Sequence, residues 1–241
     1  MTEHEQQCRA LYMQAFAGEE PAFCDALFSA YYPRHVVTAT EEGRVASMLF
    51  SIPYPIVLGE TVCEARYLYG IATHPDLRGR GHARRLIAAE AAAHPVFLRP
   101  MTPSLFRFYE KAGLSPFSPL AFLRGDAADG ALSVRHLTPA QYLEARDARL
   151  RPPFARMSER FLSLVCSYGG LIEAEGALAL YDTVGDTVTF KEWWGDPEIA
   201  PRLAAKLGAA HYELRSPAPD GAPFGMMAGL PPETVFLAAM D

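Results

Sequence analysis

The sequence has 241 residues, of which 50% are hydrophobic and 21% are charged. This composition is typical of a globular protein rather than of a disordered chain. Domains contain about 150 residues, so the length suits either one large domain or two related units. Lys and Arg number 22 and Asp and Glu number 28, which gives a net charge of −6. That balance argues against a nucleic-acid-binding protein, which needs a basic surface.

The sequence gives no sign of export, membrane insertion or metal binding. Met1–Glu5 is polar and acidic, so we expect no signal peptide. The most apolar stretch, Ser47–Gly59, is short and contains Pro53 and Pro55, so we expect no membrane span. The four cysteines form no CxxC pair and have no histidine at metal-ligand spacing: Cys8, Cys24, Cys63 and Cys166. We therefore expect a cytoplasmic protein with reduced thiols and no metal.

Hydrophobic periodicity predicts alternating helices and strands in the first half of the chain. In chain order, we predict helices at 5–17 and 20–31, strands at 36–40, 44–52 and 62–73, a helix at 81–93, a strand at 96–99, a helix at 103–111 and a strand at 117–123. This order favours an α/β or α+β fold, with helices on the faces of a mixed sheet.

The second half repeats much of that order after a small, polar segment, Gly125–Gly130, which we interpret as a domain boundary. Thr138 and Gln141 have the spacing of a helix-capping box. We predict a strand at 132–136, helices at 139–150 and 154–168, strands at 171–175, 177–181 and 187–193, a helix at 196–208, a strand at 210–215, a loop at 216–232 and a strand at 234–239. Internal duplication is therefore predicted from element order alone.

One segment, Ile71–Ile87, has the features of an anion-binding site. A predicted strand ends, a proline follows, and two glycines precede a helix whose first backbone amides favour a pyrophosphate. Arg78 and Arg80 add positive charge. The alternative interpretation is an ordinary basic turn with solvated arginines. The chain contains no Walker motif, and Arg84 stands where a dinucleotide motif needs its third glycine.

Two motifs resemble the GCN5-related N-acetyltransferases, the GNAT family. The segment Ile71–Ala83 is similar to the family's acetyl-CoA signature, Arg/Gln-x-x-Gly-x-Gly/Ala, with Arg78, Gly81 and Ala83 in its three defined places. Phe108–Leu114 reads FYEKAGL and is similar to the family's second hallmark. The resemblance implies an acetyl-CoA-binding domain at residues 1–125 and a degenerate second GNAT-like unit at residues 130–241.

The resemblance also implies how acetyl-CoA is held. The pantetheine would bond to the backbone of a splayed strand, here Ile71, Ala72 and Thr73. The pyrophosphate would lie at the loop and the start of the following helix: Arg78, Gly79, Arg80, Gly81, His82, Ala83 and Arg84. The implied reaction is direct attack of a primary amine on the thioester in a ternary complex. Backbone donors would polarise the carbonyl, and proximity would supply much of the rate.

Tyr109 matches the tyrosine that protonates the departing thiolate in many members of the family. For Phe106 and Phe108, core packing is the expected role. Three residues are candidates for the general base: Glu64, expected on the strand before the motif; His74, more often a structural hydrogen-bonding residue; and Asp241, by similarity to relatives with a catalytic terminal carboxylate.

The second half departs from the family pattern. Where the pyrophosphate loop is expected, it has Lys191–Glu198, with one glycine and several acidic residues, so we predict one cofactor per chain. Trp193 and Trp194 could line an acceptor pocket or an interface, although core packing of at least one is expected. Pro223–Met227 could be a lid or an ordinary loop.

Alternatives to a small-molecule N-acetyltransferase are a non-catalytic acyl-CoA-binding module, a protein N-acetyltransferase and a structural scaffold. Aminoglycosides, polyamines, amino acids and protein N-termini all remain open as acceptors, and so does homo-oligomerisation.

Overall fold

The computed structural model describes residues 1–237. Contacts divide the chain into two compact units. The first contains Met1–Phe117 and Gly225–Pro232, and the second contains Ser118–Phe224 and, among the described residues, positions 233–237. The first unit is therefore completed by a segment from near the end of the chain.

The described residues form seven α-helices and fourteen strands. The helices are α1 (Glu3–Ala15), α2 (Pro21–Tyr31), α3 (His82–Ala93), α4 (Pro103–Glu110), α5 (Pro139–Arg149), α6 (Glu159–Val165) and α7 (Ala200–Lys206). The strands are β1 (Val36–Glu41), β2 (Arg44–Pro53), β3 (Ile56–Leu58), β4 (Thr61–Cys63), β5 (Arg66–Thr73), β6 (Val96–Leu98), β7 (Ser115–Asp126), β8 (Val134–His136), β9 (Phe154–Ala155), β10 (Gly169–Ala174), β11 (Ala177–Val184), β12 (Thr187–Trp194), β13 (His211–Pro217) and β14 (Ala222–Ala228). The expected mixed α/β class is confirmed.

In the first unit, the strands lie in the order β1, β2, β5, β6 and then the end of β14. The pairs β1–β2 and β2–β5 are antiparallel, and β5–β6 is parallel, with α3 connecting its two strands. Met226–Ala228 of β14 pairs antiparallel with β6. Apolar side chains from β2, β5, β6, α3 and α4 form the core, and Met226 is buried among them.

The second unit has the same sequence of pairings. The pairs β10–β11 and β11–β12 are antiparallel, and β12–β13 is parallel, with α7 connecting its two strands. Its core contains Trp193, which confirms the expectation of core packing for one of the two tryptophans. The Trp193 indole N–H donates to the Gly195 carbonyl (3.1 Å), and its ring lies 4.9 Å from the Phe190 ring.

Four predicted elements differ from the structure. The strand at 62–73 is divided into β4 and β5, and β3 precedes them. The predicted helix at 154–168 is β9 followed by α6, because the Ser158 hydroxyl caps α6 and thus starts it at Glu159. The predicted loop at 216–232 contains β14. Of the predicted strand at 234–239, Val235 forms a single bridge to Phe154, and positions 238 and 239 lie outside the described residues.

The boundary between the two units also differs in position from the predicted linker. Gly125–Gly130 begins inside β7, whereas the contacts change from one unit to the other between Phe117 and Ser118. The predicted capping box is confirmed. The Thr138 hydroxyl accepts from the backbone of Gln141, and the Gln141 side chain accepts from the backbone of Thr138.

Candidate functional site

The strand β5 separates from β6 soon after the two meet. Their parallel pairing consists of Arg66 with Val96 and Tyr67 with Phe97. Beyond Tyr67, the side of β5 that faced β6 has no strand partner within the described part of the chain. Its backbone N–H and C=O groups can therefore bond to an extended ligand.

A β-bulge lies in the same part of β5. Met48 and Phe50 of β2 pair with Ala72 and Tyr69, so β5 has one extra residue, next to Gly70. Gly70 has φ of +60°, and a Cβ there would lie 2.9 Å from Cε2 of Tyr12. A glycine suits this position because it accepts the left-handed conformation and leaves room for the tyrosine ring.

After β5 the chain forms a short 3₁₀ helix, Pro75–Leu77, and then the loop that leads into α3. Gly81 is the N-cap of α3, with φ of +77°, and no side chain caps the helix. The first backbone amides of a helix have no partner within the helix, and its N-terminus carries partial positive charge. The loop therefore exposes N–H groups to an anion without a competing side chain.

These elements surround a cavity of about 650 Å³. All ten of the predicted cofactor-binding residues line it: Ile71, Ala72, Thr73, Arg78, Gly79, Arg80, Gly81, His82, Ala83 and Arg84. Tyr109 of α4 lines it as well. The structure thus brings together, at one concave site, the ten predicted cofactor-binding residues and the predicted catalytic tyrosine.

Tyr109 is only 7% exposed, yet its side chain borders the cavity. No residue of the described chain forms a hydrogen bond with its hydroxyl group. Burial raises the pKa of Tyr109 from 10 to about 12. The phenol is therefore neutral at physiological pH and has a hydrogen-bond donor that the described residues leave unused.

A carboxylate that the motifs did not mark is bonded to the same loop. Glu41, at the end of β1, pairs with the Arg80 guanidinium through one oxygen and lies 2.8 Å from Nε2 of His82 through the other. The Arg85 guanidinium lies 2.9 Å from Nδ1 of His82 and donates to the Arg80 carbonyl (3.0 Å). Four residues thus form one hydrogen-bonded network beneath the loop.

Comparison with known proteins identifies the first half of the chain. Residues 1–117 match the model of an acetyltransferase (GNAT) domain. These residues belong to the GNAT acetyltransferase family. No curated protein sequence matches the chain significantly.

Solved structures support the GNAT fold over nearly the whole chain. One is a GCN5-related N-acetyltransferase from Kribbella flavida, with 16% identity, a TM-score of 0.68, and coverage of 94% of this chain and 70% of that one. Another is a GCN5-related N-acetyltransferase from Anabaena variabilis, with 15% identity, a TM-score of 0.70 and the same two coverages. Identities this low show the fold and nothing more specific.

Neither of the two candidate bases within the GNAT domain, Glu64 and His74, lines the cavity. Glu64 is exposed between β4 and β5 rather than on a strand, and it does not line the cavity. His74 caps the 3₁₀ helix, where its Nδ1 accepts from the backbone of Asp76 at 3.4 Å, as a structural hydrogen-bonding residue would. Asp241 lies outside the described residues.

Sequence reasoning missed several residues of this cavity in the GNAT domain. They come from the end of α1, the 3₁₀ helix and α4: Ala15, Phe16, Leu77, Leu105, Phe108 and Lys111. Phe108 was expected in the core, but 36% of it is exposed, whereas Phe106 packs against the core as expected. Ala15 and Phe16 continue the apolar face of α1 to its last turn, which was the available signal.

No helix among residues 1–237 has the length and apolarity to cross a membrane. No group of His, Cys, Asp and Glu side chains in that range could hold a metal ion.

Proposed function

We propose that the chain is an N-acetyltransferase that moves an acetyl group from acetyl-CoA to a primary amine of a small molecule, by direct attack in a ternary complex. The observation that carries this proposal is the single cavity shared by the splayed strand, the glycine loop and Tyr109. The family membership of residues 1–117 supports the coarser part, acyl transfer.

The loop has the chemistry that a pyrophosphate needs. The uncapped N-terminus of α3 offers backbone amides, and Arg78 and Arg84 are exposed beside it. Arginine suits phosphate groups because its planar guanidinium can donate two parallel hydrogen bonds. The cavity residues therefore fit the nucleotide end of acetyl-CoA, and we assign Arg78–Arg84 to that end.

The splayed part of β5 has the chemistry that the pantetheine arm needs. The arm contains two amide groups, and an unpaired strand edge offers N–H donors and C=O acceptors at regular spacing. We assign the backbone of Ile71, Ala72 and Thr73 to this arm. Bound acetyl-CoA supplies an activated acyl group in the form of its thioester.

In the proposed reaction, the neutral amine nitrogen attacks the thioester carbon and the carbon–sulfur bond breaks. The sulfur leaves with the bonding electrons and gains a proton, while the nitrogen loses one to solvent water. We assign the proton given to sulfur to the Tyr109 hydroxyl, because this phenol is neutral, borders the cavity and is not engaged by the described residues.

The second unit contributes no donor site in this proposal. Its 3₁₀ helix, Pro197–Ile199, continues directly into α7 without a glycine loop between them. The acidic segment predicted at the loop position begins within β12, where Lys191 pairs with Asp182 at 2.5 Å. The repeated strand pairings support a tandem origin, and we propose one acetyl-CoA per chain.

The acceptor class and the compartment extend the same proposal. The net charge of −6 mildly favours a cationic small molecule as acceptor. All four cysteines are free thiols, which agrees with the reducing cytoplasm. A protein N-terminus as acceptor is the alternative within the same reaction class.

A non-catalytic acyl-CoA-binding module is the second candidate. The observation that favours it is the absence of any Asp or Glu among the described residues that line the cavity. Such a module would keep the donor site and have no group to accept the proton from the amine.

One experiment separates the two candidates. The full chain is incubated with acetyl-CoA and a panel of aminoglycosides, polyamines, amino acids and a peptide with a free N-terminus, and release of free thiol is recorded. Thiol release that depends on an amine supports the transferase. Stabilisation by acetyl-CoA without thiol release supports the binding module. At 100 times the dissociation constant, that stabilisation is about 2.7 kcal/mol, and its absence would overturn both.

A further inference from the structure

Glu41 is bonded to two residues at the loop that precedes α3 and at its first turn, without lining the cavity itself. Its two oxygens bond separately, one to Arg80 and the other to His82. Through His82 the network extends to Arg85, which also donates to the Arg80 carbonyl. A single carboxylate from the β1–β2 hairpin is thus connected to the loop, to the first residue of α3 and to its first turn.

The bonding partners of His82 define its tautomer. Nδ1 faces a guanidinium N–H, which can only donate, so Nδ1 accepts and has no proton. The other nitrogen, Nε2, therefore carries the proton and donates to Glu41. His82 is 7% exposed, so both ring nitrogens have partners within a nearly buried group. Removing the carboxylate would leave the buried Nε2–H without its acceptor.

The loop depends on such support because its own sequence gives it little. Gly81, the N-cap of α3, has no side chain to hold the start of the helix. Glycine also leaves the backbone more freedom than any other residue, so ordering this loop costs more entropy. Bonds from outside the loop that fix it before the ligand arrives reduce the cost of binding.

We propose that Glu41 is a positioning residue, which holds Arg80 and the start of α3 in the arrangement that receives the pyrophosphate of acetyl-CoA. The inference rests on the proposed donor site and adds a residue to it. The proposal and simple electrostatics predict opposite effects on acetyl-CoA binding when this carboxylate is removed. A carboxylate near a phosphate site repels the ligand, so simple electrostatics predicts tighter binding when it is removed, whereas positioning predicts weaker binding.

The test compares three variants by isothermal titration calorimetry with acetyl-CoA. Glu41→Gln removes the charge and one of the two acceptors. Glu41→Asp keeps the charge but shortens the side chain by one methylene, so it cannot reach both partners. Glu42→Gln is the matched control, because it removes one negative charge from the adjacent, exposed residue. We expect both Glu41 variants to raise the dissociation constant about tenfold, or about 1.4 kcal/mol, and Glu42→Gln to change it less than twofold.

A truncated donor distinguishes positioning of the loop from general damage to the fold. S-acetylpantetheine has the thioester and both amides but no pyrophosphate. We expect kcat/KM for acetyl-CoA to fall in the Glu41 variants, through KM, while kcat/KM for S-acetylpantetheine stays unchanged. Equal losses with both donors, or unchanged or tighter binding of acetyl-CoA by Glu41→Gln, would overturn the assignment. Failure of the unsubstituted chain to bind acetyl-CoA would instead overturn the proposed function.

Discussion

Replacement of Tyr109 by Phe should reduce turnover without reducing stability. The substitution removes one hydroxyl group that is not hydrogen-bonded by the described residues, so no protein hydrogen bond is lost. The substitution also removes the free-energy cost of burying that hydroxyl group, whose burial raises the pKa of Tyr109 to about 12. We therefore expect the free energy of unfolding to stay the same or to rise by about 1 kcal/mol.

The effect on turnover follows from the proposed role as proton donor. Loss of a general acid costs about 100-fold or more in rate, and 100-fold corresponds to about 2.7 kcal/mol in the activation barrier. The assay measures thiol release at saturating acetyl-CoA, with urea unfolding of the same preparations. We expect kcat to fall about 100-fold while the midpoint of unfolding does not fall.

A second tyrosine supplies the matched control. The Tyr142 hydroxyl donates to the buried carboxylate of Glu192 at 2.6 Å in the second unit. Tyr142→Phe should thus lower the free energy of unfolding by about 1.5–3 kcal/mol and leave kcat unchanged. If Tyr109→Phe retains its full kcat, Tyr109 is not the proton donor. If it loses more than about 1 kcal/mol of stability, the Tyr109 hydroxyl has a structural hydrogen-bond partner in the folded chain.

Three further outcomes are expected from urea unfolding. Burial raises the pKa of Tyr109 from 10 to about 12, so above pH 10 the folded chain keeps a proton that the unfolded chain loses. The free energy of unfolding of the unsubstituted chain, relative to that of Tyr109→Phe, should therefore fall above pH 10, by about 1.4 kcal/mol at pH 11. A difference between the two proteins that stays constant with pH would contradict this. Gly70→Ala should lower the free energy of unfolding by about 2 kcal/mol, because the new Cβ would lie 2.9 Å from Cε2 of Tyr12 at a φ of +60°. A loss below about 0.5 kcal/mol would show that the bulge adapts to the side chain. Glu192→Gln should lower the free energy of unfolding by about 3 kcal/mol. Its carboxylate lies 2.9 Å from Nε of Arg146, whose side chain is only 1% exposed, so the substitution leaves a buried guanidinium without its partner charge. A loss below about 1 kcal/mol would show that the ion pair contributes little to stability.

The donor loop could be predicted from sequence because its determinants are local. A strand, a proline, two glycines and a helix follow one another within Ile71–Ile87, and each constrains its neighbours directly. Tyr109 could be found for the same reason, since it lies inside a second short motif. The structure adds the cavity that joins the two motifs.

Glu41 could not be found in this way. It is separated from Arg80 by 39 residues, and glutamate beside a hairpin turn is ordinarily a solvated surface residue. Only the pairing of β1 with β2, and of β2 with β5, places it under the loop. Local patterns identify residues that contact a ligand through a continuous segment, whereas residues that support that segment come from elsewhere in the sheet.

For the segment 216–232, the local sequence pattern was misleading. Its prolines and glycines are typical of a loop, yet β14 runs through it and Met226 is buried in the core of the first unit. Gly225 explains the contradiction, because a Cβ there would lie 2.4 Å from the Phe117 ring and 3.0 Å from the Leu98 carbonyl oxygen. This glycine permits close packing of a strand rather than a turn. A glycine is thus required for different reasons at the two positions: at Gly81 because φ is positive, and at Gly225 because space is limiting. Only the structural neighbours of each glycine distinguish the two reasons.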